Sequence, residues 1–237
     1  MATVTGRSTE RFTGFPEGGV EFFLELQAEQ SRTWFKAHQA EFDRLWKRPL
    51  ELFVDDLRTR LLDAYPHLLE SPPHFMRIQR DIRFSRDKSP YKTWVAASVP
   101  IRPVVGETDD MHGAPGMYVS FGLESEYVGV GSWHMSPEVL QRYRQAVAAD
   151  KTGRPLQASI NNLVKDGFSI EAMERTKRVP PPYPQDHPRG ELLKHKGLAV
   201  GIQVPEGLSQ SPELLDWAEA RLRSSKPVVD WLDRNLA

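Results

Sequence analysis

Met76-Arg-Ile-Gln-Arg-Asp-Ile-Arg-Phe-Ser-Arg-Asp-Lys-Ser-Pro-Tyr-Lys92 is the stretch on which the reading of the fold turns. Upstream of it, apolar residues recur at helical spacing. Val20, Phe23 and Leu24 form one stripe, on a helix expected over about 16–29. Trp34, Phe35, His38, Phe42, Leu45 and Trp46 form a second, which Ser31 can cap. Leu52, Phe53, Leu57 and Leu61 form a third, with Pro49 suited to its first turn and Tyr65-Pro66 ending it. At residue 76 the period drops to two. Met76, Ile78, Ile82 and Phe84 alternate with polar residues, which predicts a strand over 76–84.

Further strands are expected over 92–101, 116–123 and 126–133, the last two as a hairpin turning at Glu124-Ser125, and another over 197–204. Residues 102–115, rich in Pro, Gly and acids, read as a loop. Ser136-Pro137-Glu138 and Ser211-Pro212-Glu213 each put Ser at N-cap, Pro at N1 and an acid in the first turn, so helices should begin there. Other helices are expected over about 154–166 and 191–196, and over 212–235 as one or two. Helices flank a block of strands without βαβ alternation. That pattern predicts a single α+β domain over 12–237, an antiparallel sheet with N-terminal and later helices packed on one side, preceded by a disordered lead over 1–11. The Pro-rich stretch 179–188 is the one plausible boundary, but the tail beyond it is too short for a second domain.

Charge marks one place. Arg77, Arg80, Arg83, Arg86, Lys88 and Lys92, less Asp81 and Asp87, give this segment +4, whereas the whole chain of 237 residues carries −1. Crowded guanidinium groups require carboxylates or an anionic ligand. On a strand, Arg77, Gln79, Asp81 and Arg83 share one face. Arg80 interrupts the apolar one, so it should be largely buried and paired, with Asp87, Glu21 or Asp43 as partner. An Arg80→Ala loss of about 3–5 kcal/mol would follow. Two readings of the cluster stand side by side. In the first, Arg77, Arg80, Arg83, Asp87, Lys88 and Lys92 grip a phosphate- or carboxylate-bearing small molecule. In the second, they form an internal salt-bridge lattice or a face for a partner.

If the site is catalytic, Asp81 is the candidate base, Tyr91 a proton donor, and His187, beside Asp186, a lone acid–base group. An Asp flanked by two arginines is a poor base, because positive charge lowers its pKa.

The hairpin carries a second pattern. Ser120, Gly122, Gly129 and Gly131 should line one sheet face, walled by Tyr118, Tyr127 and Trp133, with either a ligand or the rings themselves filling the room.

Other function classes lack their signatures. A pI of about 6.7 argues against a general nucleic-acid binder. There is no cysteine, so no disulfide or thiolate site, and a reducing cytoplasm is the natural compartment. No signal peptide is visible in 1–11, and no apolar run approaches the ~18 residues of a membrane span. Gly129-Val-Gly131 lacks the third glycine and the βαβ setting of a dinucleotide site, no phosphate-binding loop or nucleophile elbow occurs, and His134, His187 and His195 share no metal-ligand spacing. No cofactor and no metal is expected.

Phe12-Thr-Gly-Phe-Pro16, Trp34-Phe35 and Arg80-Asp-Ile-Arg-Phe-Ser-Arg-Asp-Lys-Ser-Pro-Tyr-Lys92 resemble the domain-of-unknown-function family 2461, a group of mainly bacterial proteins. So do the Gly-rich 128–133 segment followed by Pro137, and Asp186-His187-Pro188 followed by Glu191-Leu-Leu-Lys194. The resemblance spans about 12–200. It implies a single-domain fold and marks the long central motif as the place for a site, without naming an activity.

Overall fold

A computed structural model describes residues 10–83, 87–102 and 115–236. The N-terminal third is helical: α1 (Gly19–Ala28), α2 (Arg32–Ala37), α3 (Gln39–Phe42), a π-turn over Asp43–Lys47, and α4 (Arg48–Arg60). Ser31 caps α2 by accepting a hydrogen bond from Trp34 N. In α1 the buried face is Phe22, Phe23 and Leu26, whereas Val20 and Leu24 of the expected stripe are exposed. Phe23 stacks on Trp46, whose indole donates to the Gly19 carbonyl, and this contact sets which face turns inward.

The sheet follows, with β1 (His74–Phe75), β2 (Trp94–Pro100), β3 (Gly116–Gly122) and β4 (Tyr127–Ser132). After α5 (Pro137–Ala148) and α6 (Asp150–Lys165), β5 (Ser169–Glu171) joins one edge. Then α7 (Gly190–Lys194) and β6 (Leu198–Gln203) precede the long α8 (Glu213–Leu236). The strands lie in the order β1-β2-β3-β4-β6-β5, and every neighbouring pair is antiparallel. The α+β class expected from the period change is the observed one.

The register sorts the sheet into two faces. Val95, Ala97 and Val99 of β2, Met117, Val119 and Phe121 of β3, Val128 and Val130 of β4, and Leu198 and Val200 of β6 point into one core with the helices. Their partners on the other face are small or aromatic: Ala96, Ser98, Tyr118, Ser120, Tyr127, Gly129, Gly131, Ala199 and Gly201. The Pro-rich 179–188 segment is no boundary in the packing. Val179 is in the core, and buried Arg189 just beyond it donates to the Val147 and Ala148 carbonyls at the end of α5 and to Asp150. That guanidinium satisfies helix carbonyls that would otherwise lack donors.

Two local expectations are corrected. The strand expected over 76–84 does not form among the described residues: regular pairing stops at Phe75, and Phe84 lies outside the described residues. Pairing resumes only as an isolated bridge, Gln79↔Tyr91. From His74↔Ser98 to that bridge the arm takes five steps and its partner seven, so the partner bulges. The bulge separates Met76 from Ile78. Met76 turns to the outer face while Ile78 enters the helix-side core. Ile82 is exposed at a turn rather than on an apolar strand face. The hairpin is also wider than expected. A two-residue turn at Glu124-Ser125 would set Gly122 opposite Tyr127, whereas Ser120 stands there instead. A slip of two residues keeps every side chain on its expected face.

Glycines on the outer face answer internal demands. Gly131 has φ of 146°, and a Cβ there would collide with Leu198 O and Ala199 Cα of the adjacent strand. A Cβ on Gly129 would sit 2.7 Å from Tyr127 Cε1, and one on Gly201 would meet the Tyr127 hydroxyl. Tyr127 therefore lies flat across β4 and β6. Gly131→Ala should cost about 2–4 kcal/mol in urea unfolding, because backbone must move. Gly129→Ala should cost less, about 1–2 kcal/mol, because the atoms its Cβ would meet first all belong to the Tyr127 ring, which can turn aside. Its cost should shrink in a Tyr127→Ala background, while that of Gly131→Ala should not.

Candidate functional site: a cationic arm beside an aromatic cleft

The 77–92 arm folds back on itself through backbone bonds from Arg80 N to Pro90 O and from Lys92 N to Ile78 O, and just before it Met76 N donates to Ala96 O of β2. Its arginines fall into different situations. Arg83 grips Asp81 with two hydrogen bonds, 3.0 and 2.7 Å long, and the Arg83 amide adds a third. These bonds, with Arg77 contributing at longer range, hold the Asp81 carboxyl far below the ordinary carboxylate range. Arg80 places Nη2 3.1 Å from both Asp87 and Glu124, with only 15% of its side chain exposed. Glu124, on the β3–β4 connection, also accepts from the Thr93 hydroxyl. Asp87 accepts from the Ser89 amide and hydroxyl, which lowers its pKa.

Among the described residues, Arg77, Lys88 and Lys92 have no carboxylate partner. Lys88 donates to the Ile82 carbonyl, and Lys92 to the Arg77 carbonyl at 3.1 Å. The Lys92 ammonium also lies 4.6 Å over the Trp94 ring. It is half-buried, and burial, then Arg80, then Arg77 push its pKa below the ordinary 10.5. The Arg80 Nε is buried and unpartnered among the described residues.

The three catalytic candidates occupy separate environments. Asp81 is consumed by Arg83 at an exposed turn. Tyr91 is buried, stacked on Phe35 at 4.5 Å, and its amide donates to Gln30. His187 Nδ1 accepts from the Arg189 amide at 3.0 Å, just ahead of α7, and its ring packs edge-on to Tyr183.

The outer sheet face holds a cleft of about 510 Å³. Tyr118, Tyr127 and Trp133 wall it, as the hairpin pattern anticipated, together with Glu171 and Gln203, which the sequence did not single out, and Met76, which the alternation places on an apolar strand face. Glu171 comes from the three-residue β5. Its signal was the short alternation Phe168-Ser-Ile-Glu171 after Gly167, with Phe168 buried and Ile170 half-buried. Ser125 on the cleft side adjoins Glu124 on the arm side, so one connection borders both regions. Among the described residues no group of three or more His, Asp or Glu is arranged to hold a metal, and no helix is long and apolar enough to cross a membrane.

An α+β protein with a helix-covered antiparallel sheet and an irregular basic arm is what these observations define. The chain belongs to the family of conserved hypothetical proteins DUF2461, whose family model matches residues 19–231. Neither the curated proteins nor the solved structures yielded a match.

The Arg80 pair has half-hydrated partners, since Asp87 and Glu124 are 53% and 45% exposed. Removing the guanidinium leaves carboxylates that water can reach. Arg80→Ala should therefore cost about 1–2 kcal/mol, not the 3–5 of a fully buried pair. Urea unfolding of Arg80→Ala, Glu124→Gln and the double variant checks this, and a loss above ~3 kcal/mol would mean that the pair behaves as buried.

Proposed function

We propose that the chain binds a phosphate- or carboxylate-bearing small molecule on the 77–92 arm, with Arg77 and Lys92 as its contacts and Arg80 Nε as a further donor. The observation that carries this reading is Lys92. A half-buried ammonium pressed by two guanidinium groups, with no carboxylate of its own among the described residues, is a destabilised cation that an anion relieves. The lattice reading applies to the other half of the cluster. Arg83 with Asp81, and Arg80 with Asp87 and Glu124, are ion pairs that shape the arm. Binding rather than turnover is the supported activity. Asp81 is too acidic for a base, and Tyr91 and His187 are each engaged elsewhere.

The test is calorimetry with inorganic phosphate, nucleotides and di- and tricarboxylates. Saturable, salt-sensitive binding is expected, weakened roughly tenfold or more by Arg77→Ala and by Lys92→Met. The pH dependence has a definite sign. The anion prefers protonated Lys92, so binding raises the depressed Lys92 pKa and takes up a proton. Affinity should hold at neutral pH and fall as pH rises through the Lys92 pKa, at a pH below the ordinary 10.5. Binding that survives both substitutions, or none across the panel, would leave the arm with a structural role alone.

A further inference from the structure

The outer-face cleft asks for a ligand of opposite charge. Tyr118 and Tyr127 present adjacent rings, with centroids 6.2 Å apart and planes inclined at 52°. Trp133 adds a third aromatic wall and is 47% exposed, far more than an indole with a protein partner over its face. Met76 contributes a polarizable thioether. Glu171 lies beside these rings. Its carboxylate accepts from the Ser169 hydroxyl at 2.8 Å, and among the described residues it makes no ion pair. Its charge reaches both phenols, for after burial it is Glu171 that helps raise each of their pKa values. Both tyrosines stay neutral, so Glu171 carries the one charge among the described residues lining the cleft.

We infer that this cleft is a binding site for a small organic cation, a quaternary or protonated amine, seated against the faces of Tyr118, Tyr127 and Trp133 with its charge beside Glu171. Aromatic faces carry negative quadrupole potential and attract ammonium groups without demanding hydrogen bonds. The volume of about 510 Å³ lies within the range of small-molecule pockets. Three alternatives fit less well. An anion would be repelled by Glu171. A neutral apolar molecule would strip water from that carboxylate and return nothing. A metal ion would need more than one carboxylate. Tyr127 lies flat across Gly129 and Gly201 and, at 8% exposure, forms the floor of the cleft, so the glycines serve the site by seating a ring rather than by leaving a hole.

The test uses the full chain and three probes of similar shape: tetramethylammonium, choline, and 3,3-dimethylbutan-1-ol, the neutral carbon isostere of choline. Proton NMR titration should show saturable binding of both cations. The alcohol should bind roughly tenfold or more weakly, because it lacks the charge. Glu171→Gln should weaken the cations by roughly tenfold and leave the alcohol unchanged. Trp133→Leu, at an exposed position where folding is not at stake, should weaken the cations several-fold. Arg77→Ala should change none of these, which separates the cleft from the arm. Equal binding of choline and its isostere, cation binding indifferent to Glu171→Gln, or no saturation at millimolar concentrations would each overturn the inference.

Discussion

Burial of one face of a six-stranded antiparallel sheet beneath the helices is the constraint from which the other features follow. That face is aliphatic and aromatic along every central strand, and the aromatic cluster of Phe12, Phe15, Phe53 and Phe121 ties the N-terminal segment to it. Once it is fixed, alternation dictates what the opposite face presents. Because Val128, Val130, Leu198 and Val200 fill inner positions of β4 and β6, the outer positions are free to be Gly, Ala, Tyr and Gln. The cleft exists on that outer face, where small residues let one tyrosine recline against the sheet.

The basic arm obeys a different logic. It leaves the β2 edge after β1 and pairs with itself, and Arg80 falls where a regular strand would place an apolar side chain. The chain resolves the conflict with a bulge. Ile78 and Tyr91 turn into the core, and Arg80 is carried to a rim where carboxylates from the arm and from the β3–β4 connection meet it. A bulge that re-aims a side chain is a recurrent device. Here it also brings Lys92 between Arg77 and Arg80, which concentrates positive charge in a half-buried position. Cationic arm and anionic cleft thus border the same connection with opposite sign.

The sequence alone determined the class of the fold, because helical and strand periods are local properties of the chain and change sharply near residue 75. It also determined the caps at Ser31, Ser136 and Ser211, whose hydroxyls accept from Trp34, Val139 and Glu213 amides, since capping needs only residues three or fewer positions away. It identified the small-residue face of the hairpin, and that reading survived a wrong register because a slip of two preserves the face. Only the tertiary structure decided the rest. The bulge, the partnership of Arg80 with Glu124 across 44 positions and the edge strand that delivers Glu171 are set by pairings between distant segments. Local periodicity carries no information about such pairings. The distribution of charge was legible as a total of +4, but which cations would be neutralised and which left open depends on where carboxylates arrive from elsewhere in the chain. That is a property of packing, not of composition.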